Sequence, residues 1–154
     1  MGLQPIVIPS AVPAVIPAPD RISAFLSQYK LGGRRLVGTA SALSPEKDPI
    51  TLIRAAAIVC AQFEDVSFVH WGAAGEASAG AQACIAALGL QERYVMPGFT
   101  HAVEQLYPAL SVFVMTSCYS WKTSCTTALK VLTNYSKRNG QSKLHRSEER
   151  RVGK

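Results

Sequence analysis

The sequence predicts an α/β protein, a partial doubly wound parallel sheet. Three observations predict it. Four short apolar runs, at residues 36–40, 66–71, 93–96 and 111–115, are near-continuous rather than alternating, as in strands covered on both faces. Segments with apolar residues three and four apart lie between them. The apolar quota, 48% of the chain, rests largely on small residues, with aromatics at 8%, which suits helices packed closely on a sheet better than a β-sandwich.

The elements follow in order. Residues 5–8, Pro-Ile-Val-Ile, read as a short strand ending at Pro9, and Pro13 to Pro19 stiffen a connector. Residues 20–30 form a helix that Asp20 can cap, with Ile22, Phe25, Leu26 and Tyr29 on one face. After the strand at 36–40, Asp48-Pro49 marks a helix start, and Ile50, Ile53, Ala57 and Cys60 make its apolar face. The strand at 66–71 leads to a helix over 76–88, stopped by Gly89 with Leu90 as the apolar partner of that stop. A strand at 93–96, a short helix over 101–110 with Val103, Leu106, Tyr107 and Leu110 inward, and a strand at 111–115 complete the series. Right-handed crossovers then give a parallel sheet, and ligands of such sheets bind outside the carboxyl ends of the strands.

Charge and cysteine content exclude several classes. The formal net charge is +6, but residues 1–117 hold seven basic against eight acidic residues, a net of −1. From Cys118 onward nine basic residues face two acidic ones, a net of +7, so the basic balance belongs to the tail and gives no reason to expect nucleic acid on the folded part. Cys60, Cys84, Cys118 and Cys125 form no C-x-x-C pair and no zinc spacing, so no metal is expected; Cys60 and Cys84 read as small buried thiols in a reducing compartment. Five prolines break the apolar start, which lacks a basic leader, and Ile6 stands where myristoylation needs Ser or Thr. The expected location is cytoplasmic, with the inner face of the membrane open to the parent protein.

Three loops can carry chemistry. After the first strand, Lys47 is the one cation of its loop and stands just before a helix N-terminus, where anions are favoured; it is either a phosphate contact or a solvated lysine. After the second strand, Gly72 and Gly75 permit close ligand approach or simply a tight turn, and His70 reads as a satisfied core histidine. After the third, Gly98 allows backbone contact, while Phe99 offers a flat surface to a base or plugs the sheet edge. There is no P-loop, no H-E-x-x-H, no G-x-S-x-G elbow and no G-x-G-x-x-G.

The ordered strings Val37-Gly38, Ala42-Leu43-Ser44-Pro45-Glu46-Lys47-Asp48, Leu52-Ile53-Arg54-Ala55-Ala56, Asp65 through Gly72, Leu88-Gly89-Leu90, Arg93 through Thr100 and Ser111 through Ser117 resemble the C-terminal, donor-binding domain of group 1 glycosyltransferases. These are the retaining, family-four enzymes of the two-domain GT-B fold, whose donor domain is Rossmann-like. Ile8-Pro9-Ser10-Ala11-Val12 is similar to the step leading into that domain. The resemblance implies transfer of a sugar from a nucleotide-sugar donor to a sugar, lipid-linked or other acceptor, without cofactor or metal, and allows peripheral membrane association of the parent protein. It implies that Lys47 contacts the donor diphosphate and stabilises the charge developing on the leaving group. It places Gly38, Thr39, Ser41, Gly72, Met96, Gly98, Phe99 and Thr100 about the donor.

Two departures from the family pattern matter. Ala42 stands where the family usually has a phosphate-holding arginine, although some relatives carry the Ser-Ala-Leu version. After Ser117 the family has a Glu-Gly-x-Gly turn and a helix with a second Glu; this chain reads Cys-Tyr-Ser-Trp-Lys-Thr-Ser and is expected not to return to a strand. The expected division is therefore 1–19 as interdomain strand and connector, 20–117 as a partial nucleotide-sugar-binding domain, and 118–154 as a basic tail foreign to the fold. The end of that tail, Arg146 to Lys154, has the character of adapter read-through, with a frame error expected near Cys118; a genuine basic arm for RNA or acidic lipid is the rival reading. The expected chain is thus a glycosyltransferase fragment without transferase activity. A stand-alone nucleotide-binding or interaction module is the alternative, and a chain too truncated to fold, with an open sheet edge, is the third.

Overall fold

The computed structural model describes residues 18–117 and the backbone of residues 118–119 and 126–133. The strand expected at 5–8 lies outside the described residues, as does nearly all of the connector.

Helix α1, Pro19–Gln28, starts with proline at its first position. Ala18 holds the N-cap place, not Asp20; Asp20 falls within the first turn, where its carboxylate meets the positive end of the helix dipole. Strand β1, Arg35–Ala40, is followed by a 3-10 turn, Pro45–Lys47, and helix α2, Pro49–Gln62. Asp48 caps α2 as its sequence suggests: its Oδ1 accepts from the Thr51 amide at 3.2 Å, with the Asp48 backbone left-handed at φ 45°. Strand β2, Val66–Trp71, is buried at every position. Helix α3, Ser78–Ala87, begins two residues later than expected. Its end is a Schellman stop: Gly89 is left-handed at φ +66°, its amide donates to Ala86, the Leu90 amide donates to Ile85, and Leu90 is buried.

Strand β3, Tyr94–Gly98, precedes a segment that is a 3-10 helix, Val103–Ala109, rather than an α-helix. Pro108 inside it lacks an amide and crowds the preceding turn, which favours the tighter winding. Strand β4, Val112–Tyr119, runs past the boundary expected at residue 117. Strand β5, Thr126–Thr133, then pairs antiparallel with β4 from Val112↔Thr133 to Tyr119↔Thr126. The chain does return to a strand after Ser117, contrary to expectation. A strand of Thr, Leu and Val needs no glutamate motif before it to pair with an open edge.

The sheet order is β3-β2-β1-β4-β5. The pairs β1–β2, β1–β4 and β2–β3 are parallel, so four strands form the expected doubly wound frame and β5 adds an antiparallel edge. Helices α2 and α3 cover one face, where Ile53, Ala56, Phe68, Ala81 and Val114 are buried. Helix α1 and the 3-10 helix cover the other, around Phe25, Leu36, Val69, Trp71, Leu106 and Leu110. Arg93, at the base of β3, donates to the Cys60 carbonyl at 3.2 Å, a helix-end acceptor of α2, and to the Val66 carbonyl at 3.0 Å, which ties the end of α2 to the start of β2.

Candidate functional site

The direction of the chain reverses across the sheet at β1. From β1 it steps to β2 and β3 on one side, then returns to β4 on the other. In sheets with such a reversal, ligands bind outside the carboxyl ends of the strands.

A cavity of about 290 Å³ opens at this end. Ala40, Ser41 and Ala42 contribute from the end of β1, Trp71, Gly72 and Ala73 from the end of β2, and Phe99, Thr100 and Val103 from beyond β3. Four of the sequence-derived site residues, Ser41, Gly72, Phe99 and Thr100, thus meet in one cavity. Phe99 is 67% exposed, with its ring edge-on to His101 at 5.0 Å, so an apolar face stands open at the rim. It does not plug the sheet edge.

Gly72 is required by packing. A Cβ there would stand 1.8 Å from the carbonyl oxygen of Ser41, because the β1 and β2 loops cross in contact. The Ser41 amide donates to Trp71 at 2.9 Å and the Gly72 amide to Gly98 at 3.0 Å, so the three strand ends are tied into one floor. Gly98, left-handed at φ +85°, supplies the turn out of β3.

The structure does not bring Gly38, Thr39, Met96 or Gly98 into this cavity. Gly38 is buried mid-strand beneath Leu110, whose Cδ1 lies 2.4 Å from where a Cβ would sit. Thr39 is 2% exposed, and Met96 packs against the core on the α2–α3 face. Gly38 and Thr39 lie within β1, deeper than the strand-end residues 40–42 that line the cavity, and Met96 faces α2 and α3 instead.

His70 is 3% exposed and fully engaged. Its Nδ1 lies 3.1 Å from the Tyr94 hydroxyl, and its Nε2 lies 3.1 Å from Ser41 Oγ and 3.2 Å from the Ser41 carbonyl oxygen. Burial holds its pKa below the ordinary value, only partly offset by the Ser41 carbonyl, so the ring is neutral. It is a satisfied core histidine, as its sequence context suggests.

Lys47 closes the 3-10 turn on the other side of β1. Thr116 of β4 donates its hydroxyl to the Lys47 carbonyl at 2.8 Å and to that of Asp48 at 3.3 Å. Since Gly38 is level with Phe113, Thr116 stands just beyond the level of Ala40. The Lys47 turn is therefore pinned at the carboxyl edge, at the β1–β4 junction. Lys47 is half-buried and outside the cavity wall.

Sequence reasoning missed Ala40, Ala42, Trp71, Ala73 and Val103 as cavity residues. Trp71 is 2% exposed, and its indole N–H is buried without a hydrogen-bond partner among the described residues. It also missed Arg21 of α1, which donates to the His101 carbonyl at 3.1 Å and to the Gln105 side chain, fastening the segment after Phe99. Only the three-dimensional arrangement brings Arg21 to a loop 80 residues away. Cys60 is buried, its thiol pKa raised by desolvation, whereas Cys84 is half-buried rather than buried. Among the described residues no three His, Cys, Asp or Glu gather, and no helix is long and apolar enough to cross a membrane.

Residues 24–130 match the family described as glycosyl transferases group 1. No curated protein matches the chain. Among solved structures, HepE of Anabaena, in complex with UDP and glucose, is 30% identical with a TM-score of 0.57; the match covers 65% of this chain and 28% of HepE. S. aureus TarM shares the fold at 24% identity and a TM-score of 0.54, covering 57% of this chain and 18% of TarM. The C-terminal domain of the group 1 glycosyl transferase LpcC of Francisella tularensis does so at 21% identity and a TM-score of 0.56, covering 68% of this chain and 56% of that domain.

Proposed function

The chain belongs to the glycosyl transferases of group 1, and from that premise we propose that it forms a nucleotide-sugar donor site for transfer of the sugar to an acceptor. The observation that carries the reading is the cavity at the carboxyl ends of β1, β2 and β3, with exposed Phe99 at its rim. An apolar cavity with an open aromatic face suits a flat base, and the Lys47 turn stands one strand away, on the diphosphate side of such a pose.

The division of labour follows from the parts. Phe99 and Thr100 receive the base; Ser41 and Gly72 bring polar backbone and a hydroxyl to the middle of the donor; Lys47 meets the diphosphate. Transfer leaves a nucleoside diphosphate, and a fixed ammonium group is worth most where that charge develops. Lys47 is thus the residue assigned to the reaction itself. Gly38, Thr39 and Met96 support the floor rather than touch the donor. UDP is the first probe, since it is bound in the HepE complex.

The chain spans 28% of the HepE chain. The acceptor, whether a sugar or lipid-linked, and a place at the inner membrane face belong to the parent protein in this proposal. The chain by itself is proposed to bind nucleotide without transferring sugar, because no Glu-Gly-x-Gly turn follows Ser117. Titrating the ¹⁵N-labelled chain with UDP tests the site. The expected result is shifts confined to the amides of Ser41, Gly72, Phe99 and Thr100 and the Lys47 turn. Shifts at the opposite end of the sheet, around Arg35 and Arg93, would reject it.

A further inference from the structure

The contacts of His70 fix which of its ring nitrogens carries the proton. The Ser41 carbonyl oxygen, 3.2 Å from Nε2, can only accept, so Nε2 must be the protonated nitrogen. Nδ1 then presents a lone pair, and the Tyr94 hydroxyl at 3.1 Å donates to it. Desolvation pushes the Tyr94 phenol well above its ordinary value, so it remains a donor. Both partners force the same tautomer.

That tautomer has a consequence for Ser41. Its Oγ lies 3.1 Å from the same Nε2, which has a proton to give and no lone pair to receive one. The Ser41 hydroxyl is therefore an acceptor toward His70, and its own proton must go elsewhere. Among the described residues no other acceptor takes it. Ser41 is half-exposed just past the carboxyl end of β1, so its hydroxyl proton is open to solvent and to a ligand bound at that end of the sheet.

We propose that His70, held by Tyr94, is a positioning residue that presents the Ser41 hydroxyl proton to an acceptor oxygen of a bound nucleoside diphosphate. The inference rests on the donor-site reading above. It assigns to two buried residues, 3% exposed each, a role that neither could fill by contact. Tyr94 stacks on Phe68 at 5.9 Å, which anchors the relay from below.

Two measurements on the full chain test it. A long-range ¹H–¹⁵N spectrum of the His70 ring should show the Nε2–H tautomer, and the Nδ1–H tautomer would overturn the proposal. Calorimetric titration with UDP should show Ser41→Ala weakening binding about fivefold, the worth of one net hydrogen bond. Tyr94→Phe, which keeps the ring on Phe68, should weaken binding by about twofold to fivefold and shift the His70 ring nitrogens, a change that loss of packing alone does not produce. If UDP binds the unaltered chain and Ser41→Ala binds equally well, this inference fails while the donor-site reading survives. If UDP does not bind the unaltered chain, both fail.

Discussion

Replacing Gly72 by alanine tests the junction on which the site is built. The added Cβ meets the Ser41 carbonyl oxygen at 1.8 Å, its carbon at 2.6 Å and the Ala42 nitrogen at 3.2 Å. All three are backbone atoms, so no side chain can swing aside. The two loops must part by more than an ångström, which breaks the Ser41–Trp71 and Gly72–Gly98 hydrogen bonds of 2.9 and 3.0 Å. Two net hydrogen bonds are worth about 2 kcal/mol and overpacking costs about 1–3 kcal/mol more, so the substitution should destabilise by roughly 3–5 kcal/mol. Gly32→Ala is the control, because no atom lies within 4 Å of its Cβ; it should be neutral or stabilise by up to about 1 kcal/mol. Urea denaturation followed by circular dichroism reads both, provided the slope with denaturant stays constant. Gly72→Ala within about 0.5 kcal/mol of the parent would refute the crossing of the loops.

Other expectations follow from the same structure. Gly38→Ala drives a Cβ to 2.4 Å from Leu110 Cδ1, but the obstacle is the end of a side chain, so the cost should be about 1–2 kcal/mol, and Gly38→Ala with Leu110→Ala should be strongly non-additive in a thermal-melt cycle. Arg93→Met leaves the Cys60 and Val66 carbonyls without their guanidinium donors and should destabilise by about 1–3 kcal/mol, read as a lower urea midpoint. The folded His70 binds its proton less readily than the unfolded chain, whose ordinary value is 6.5, so its contribution to stability is intact above that pH and declines as pH falls below it toward the lowered folded value. His70→Gln should flatten the decline in melting temperature below pH 6.5.

Much of the frame was legible because its signals are local. The apolar runs that became β1 to β4 differ from the described strands by a few end residues, and Asp48 and Gly89 cap and stop helices as their chemistry requires. What lay beyond reach depended on geometry. Gly38, Thr39 and Met96 sit beside site residues in sequence, but the cover of Leu110 over Gly38, the burial of Thr39 within β1 and the packing of Met96 on the α2–α3 face keep them out of the cavity. Trp71 looked like one more buried strand residue until its indole was seen to wall the cavity. Strand β5 had no turn or family motif to announce it, and its pairing is a long-range event. For Ser41, composition and spacing could place a hydroxyl at a strand end; only the His70 and Tyr94 contacts say which way its proton points.

Thr116 pins the Lys47 turn to β4, and the proposed role of that turn is to hold the diphosphate of a nucleotide whose base lies against Phe99. Isothermal calorimetry of the chain and its Lys47→Ala variant, with UDP and with uridine, tests it most directly. A charge-assisted contact is worth about 1.5–3 kcal/mol, so Lys47→Ala should weaken UDP binding about tenfold to a hundredfold and leave uridine binding unchanged. Equal UDP affinity in both proteins would exclude Lys47 from the diphosphate.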